Sequence, residues 1–160
     1  MTILVTIPER FLCAGRSPKQ EFDPEEALYL RYSSEHFKGE SLPTMAVKAP
    51  AFSVNRQLFS RPSDVLIPNW LNFGIAEFKV KDIPNGLIPD ISFKPVHDPI
   101  DRNHPDFNHM GFENYAHTEV RMFKGSNDLG KNKIPDSLKK KFRTYFRSKL
   151  KLNITLESLP

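Results

Sequence analysis

The chain has 160 residues, the size of about one modest domain. Its 39% hydrophobic and 26% charged residues exclude a disordered tail, and no apolar run approaches the roughly 18–20 residues that a transmembrane helix needs. The net charge of +4 is strongly localised. Nine basic residues between Lys131 and Lys151 stand against one acid, Asp136, while residues 1–130 carry 14 basic and 17 acidic side chains. A slightly acidic body therefore carries a basic C-terminal segment, 131–151. Fourteen prolines against seven glycines argue against a helix bundle and for short strands with rigid connections. With Cys13 as the one cysteine, no intrachain disulfide can form. The first residues lack the basic start and cleavage site of a signal peptide, so a cytoplasmic location is expected.

In chain order, Ile3, Val5 and Ile7 alternate along Thr2–Ile7, predicting a short strand stopped by Pro8. Asp23-Pro24-Glu25-Glu26 has the capping and first-turn residues of a helix start, but Ala27 to Ser33 alternates and holds two tyrosines. A helical turn feeding a strand over 27–33 reconciles the two signals. A strand is predicted at 51–56, and Ser63-Asp64 could cap a short helix before Pro68. Ile75 to Asp82 reads as a strand with Ala76, Phe78 and Val80 on one face. Asp90 to Val96 is a further strand, which Pro95 pushes toward a sheet edge or a bulge.

Residues 97–114 read as a long polar loop. Ala116 to Phe123 returns to alternation, with Ala116, Thr118, Val120 and Met122 opposite His117, Glu119, Arg121 and Phe123. Beyond a turn-rich connector, Leu138, Phe142, Tyr145, Phe146 and Leu150 form one helical stripe. Leu150 to Glu157 then alternates as a final strand. The expected fold is a single small α+β domain: a mostly antiparallel sheet of about six short strands, a C-terminal amphipathic basic helix and a last strand.

Two constellations carry chemistry. Four of the five histidines lie between residues 97 and 117 among several carboxylates. His97, Asp98, His117 and Glu119 would form a general acid–base or metal-binding cluster if the strands ending at 97 and starting at 116 pair. A divalent metal would suit these ligand types, although HExxH, CxxC and HxE…PCxxC spacings are absent. The second is the basic helix, whose outer face would hold Lys139, Lys140, Lys141, Arg143, Arg147 and Lys149. Such a face suits nucleic-acid phosphates or an acidic protein surface rather than a membrane, since the helix's apolar stripe is expected to face the core.

A third arrangement is the order Arg31, Ser53, Glu119 on three predicted strands. It resembles the layout of mono-ADP-ribosyltransferases, in which an Arg and a Glu flank a nicotinamide pocket on a split sheet. Ser53-Val54-Asn55 and His117-Thr118-Glu119 stand where that family has Ser-x-Ser and Glu-x-Glu. The resemblance implies an enzyme that binds NAD and transfers ADP-ribose. Three functions are therefore in play: a small protein that binds or hydrolyses nucleic acid, a non-catalytic partner module of a multi-subunit bacterial system, and an ADP-ribosyl-transferring enzyme.

Overall fold

Strict alternation of apolar and polar side chains builds most of this molecule, because period two puts one set of residues on each side of a pleated strand. The computed structural model describes residues 8–33, 51–66, 73–83, 85–101, 113–129, 137, 140–141, 144 and 151–154. Among the described residues, eight strands form one antiparallel sheet: β1 (Ala27–Ser33), β2 (Ala51–Arg56), β3 (Phe73–Lys79), β4 (Asn85–Ile88), β5 (Ile91–His97), β6 (His117–Lys124), β7 (Asn127–Asp128) and β8 (Lys151–Ile154). Their order is β4-β5-β6-β2-β1-β3-β8, with β7 pairing back onto β6. The strands expected at 27–33 and 51–56 form with those bounds, and β4 and β7 are two short strands that were not expected. The strand expected at Thr2–Ile7 lies outside the described residues.

One face of the sheet holds the main core, made by Leu28, Leu30, Phe52, Val54, Ala76, Phe78, Phe93, Val120 and Met122, joined by Ile83 from the loop after β3. Ala116, Thr118, Val120 and Met122 are all fully buried, as their alternation predicts. At a typical 1.5–3 kcal/mol for each large apolar side chain removed from water, this layer is the main source of stability.

Several elements depart from expectation for local reasons. The strand predicted over 75–82 starts at Phe73 and ends at Lys79, and Val80–Asp82 turns into a 3-10 helix closed by the Asp82 carboxylate accepting from the Lys79 N–H. β5 sits between β4 and β6 in the strand order, but at Pro95 it is locally an edge, as the proline predicts. Pairing with β4 stops at Ser92, so the missing N–H of Pro95 falls where β5 has β6 as its neighbour. Asp23 accepts from the Glu25 N–H in a single turn leading into β1, and no longer helix follows it. The short helix expected at Ser63-Asp64 is a 3-10 segment over Pro62–Leu66, where Asp64 accepts from the Arg61 N–H.

In the basic segment, Ser137, Lys140, Lys141 and Thr144 are helical and exposed. The apolar stripe expected there, together with Lys139, Arg143, Arg147 and Lys149, lies outside the described residues. No helix of seven or more residues occurs among the described residues, so they do not support the expected amphipathic helix. Nor is any helix among them long and apolar enough to cross a membrane.

The sheet is divided in the middle. β1 follows β3 over seven register positions, Ala27–Lys79 to Ser33–Phe73, and β2 follows β6 over five. Between these halves β1 and β2 pair at two positions only, Leu28–Arg56 and Tyr29–Asn55. Beyond Tyr29 and Asn55 the β1–β2 ladder ends. Arg31 and Ser53 follow two residues further along on the two strands, on the same face.

Candidate functional site

The second face of the sheet carries the polar chemistry. Cross-strand partners share a face, and Ser53 lies directly opposite Glu119, with Asn55 opposite His117 and Ala51 opposite Arg121. Arg31 follows Tyr29 by two residues, and Tyr29 is paired with Asn55, so Arg31 projects from this same face. Ser53 and Arg31 are exposed, whereas Asn55 and His117 are buried.

His117 is held at both ring nitrogens. Nδ1 lies 2.7 Å from the Asp98 carbonyl oxygen, and Nε2 lies 3.1 Å from Ser53 Oγ. A carbonyl oxygen can only accept, so Nδ1 carries the proton. In the neutral ring Nε2 is then the acceptor of the Ser53 hydroxyl proton. This is the arrangement of a nucleophile or proton donor, a base and an orienting group.

Arg121 organises the carboxylates beside it. Its Nε donates to Glu119 at 2.7 Å, one terminal nitrogen to Asp98 at 2.9 Å and the other to Asp128 at 3.2 Å. Burial opposes the charge on Arg121, but Glu119, Asp98 and Asp128 outweigh it and hold the guanidinium protonated more firmly than usual. The Glu119 side chain is 19% exposed.

The sequence-predicted cluster is thus brought together in part. Asp98, His117 and Glu119 meet through Arg121 and the Asp98 carbonyl. His97 is not with them. It pairs with Thr118, so it projects to the opposite face from His117. There its Nδ1 accepts from the Lys19 N–H at 2.8 Å, and its Nε2 donates to the Tyr115 carbonyl at 2.5 Å. The ring stacks on Phe59 at 5.4 Å and meets Tyr115 edge-on. Desolvation lowers the His97 pKa below the ordinary histidine value, although the Tyr115 carbonyl pulls the other way. His97 is a core histidine that fastens the strand end to the 16–20 segment.

Among the described residues no three His, Cys, Asp or Glu side chains are grouped to hold a metal ion. The reason is visible at the site: Arg121 occupies the space between the three carboxylates. His104 and His109 lie outside the described residues. Cys13 is buried, its thiol donates to the Ile100 carbonyl at 3.2 Å, and burial together with Glu113 pushes its pKa to about 11. It is no nucleophile at neutral pH.

Sequence reasoning did not weigh Arg121 as a site residue, although its period-two position after Glu119 was the available signal. The Ser53–His117 contact spans 64 positions and had no local signal at all. No family model, curated protein or solved structure matches this chain.

Proposed function

We propose that the sheet face where the β1–β2 ladder ends binds NAD and that the protein cleaves its nicotinamide–ribose bond, transferring the ADP-ribosyl group. The observation that carries this reading is the convergence of Arg31, Ser53 and Glu119 on one face of three neighbouring strands, at the point where the β1–β2 ladder parts. The Arg31 guanidinium suits the pyrophosphate, because it presents paired donors to phosphate oxygens. The Glu119 carboxylate suits the ribose, where positive charge develops as the glycosidic bond breaks. Ser53, exposed beside Glu119, supplies a short polar contact to the sugar.

The test is nicotinamide release from NAD. The wild-type protein is expected to release it. Glu119→Gln keeps the size of the side chain and should lower kcat about 100-fold with little change in KM, since it removes a charge used in the transition state. Arg31→Ala should mainly raise KM, by about tenfold, through the lost phosphate contact. A protein that neither binds nor cleaves NAD would refute the reading.

A second reading is favoured by the exposed, helical Lys140 and Lys141. A basic surface around them would bind nucleic acid or an acidic protein partner. Binding would weaken steeply with salt, and Lys140→Glu with Lys141→Glu should reduce it at least tenfold in an electrophoretic shift assay. Unchanged binding in that double variant would dismiss it.

A further inference from the structure

Resting on the NAD-cleaving reading, we infer that Ser53 and His117 form a proton relay, and that the group receiving ADP-ribose is therefore a hydroxyl, either water or an alcohol. Three observations lead there. The Asp98 carbonyl fixes the proton on His117 Nδ1, so Nε2 is the accepting nitrogen, 3.1 Å from Ser53 Oγ. Ser53 is exposed, so with its own proton directed at His117 its lone pairs face outward. Glu119 lies directly across from Ser53, which sets the relay beside the carbon where the ribose would react.

Several charged and titratable groups lie near His117 among the described residues. Glu119 and Arg121 follow on its own strand, and the Asp98 carboxylate is engaged by Arg121. Arg31 stands on β1 beyond the end of the ladder, Asn55 is the neutral cross-strand partner of His117, and His97 lies on the far side of the sheet. This setting separates acceptor classes. A carboxylate acceptor is nucleophilic without a base and would not need the relay. A hydroxyl must lose a proton as it attacks, and the relay removes it.

The step balances as follows. The ribose C1′–nitrogen bond breaks and nicotinamide leaves as a neutral molecule with the bonding pair. The acceptor oxygen bonds to C1′ and passes its proton to Ser53 Oγ, while the Ser53 proton passes to His117 Nε2.

The experiment uses the full chain with NAD in water and in water containing methanol, with the released nicotinamide and the ADP-ribosyl products quantified. His117→Ala should slow nicotinamide release about 100-fold, and added imidazole should restore a good part of it, which a merely structural role would not allow. Ser53→Ala should show the same loss, and Ser53→Thr should retain most activity. Should the alanine variant at His117 not fold, His117→Gln gives the same expected loss without rescue. Free ADP-ribose alone identifies water as the acceptor, and methyl-ADP-ribose identifies an alcohol-accepting site. Undiminished release by His117→Ala, or a loss that imidazole does not mend, overturns the relay and leaves the NAD reading standing. Products dominated by adducts that neutral hydroxylamine cleaves overturn the hydroxyl acceptor. A wild-type protein that leaves NAD intact overturns the parent reading, and this inference with it.

Discussion

Arg56 shows how a single side chain can tie several segments together. It is 1% exposed, and its guanidinium forms a two-point contact with Glu26 at 2.9 and 2.7 Å. Its remaining donors reach the carbonyls of Lys19 and Glu21 at 2.6 and 2.9 Å, and it lies over the Phe22 ring. A buried charge with every partner in place is tolerable, but one left alone is expensive. Arg56→Met should therefore cost about 3–5 kcal/mol in urea unfolding, and adding Glu26→Leu should recover much of it. Equal losses in the single and double variants would contradict this account.

His97 makes a prediction in pH. Its folded pKa is lowered, so below the ordinary histidine value of about 6.5 the unfolded chain binds a proton that the folded chain resists. Stability should fall as pH drops from 7 toward 5, and His97→Gln should flatten that slope. Identical slopes in the two proteins would rule it out. Neither environment was legible from residue type alone. Arg56 reads as the last residue of a strand and His97 as a member of the acid–base cluster, because their partners lie 18 to 78 positions away.

Elements were read more reliably than residues. The strands at 27–33, 51–56 and 117–124 announce themselves because each alternates over at least six positions with apolar residues on one side. The Asn85–Ile88 strand is four residues long and contains glycine, so it carried no periodic signal, and its existence rests on the turn that follows. Pro89 and Asp90 link it to β5, with Asp90 at φ 64°. Proline at the first central position and a left-handed second one define a type II turn, which aspartate tolerates better than branched residues. Asp90→Val should lower stability by about 1–2 kcal/mol and Asp90→Gly should not, as thermal unfolding would show. The pairing of β5 with β6 was anticipated as a condition for the histidine cluster, and it occurs. Its register sends His97 and His117 to opposite faces. The one-residue difference between joining two side chains and separating them is set by long-range pairing, which alternation within a strand does not encode.

At the scale of the whole molecule, the charge asymmetry of the chain and the division of its sheet are separate features. The positive charge is concentrated in the segment 131–151, of which Lys140 and Lys141 are helical and exposed among the described residues. The division lies between β1 and β2, where two strands each follow a different partner and share only two register positions. The sheet face there gathers Arg31, Ser53 and Glu119, three residues whose order alone was visible in the sequence, and adds His117 and Arg121 beside them. We propose that NAD binds here. Backbone amide signals followed by NMR during an NAD titration test this. Saturable shifts are expected at residues 31–33, 51–55 and 117–121, weakened about tenfold in apparent affinity by Arg31→Ala. Unperturbed signals there, or shifts confined to residues 137–144, would contradict it.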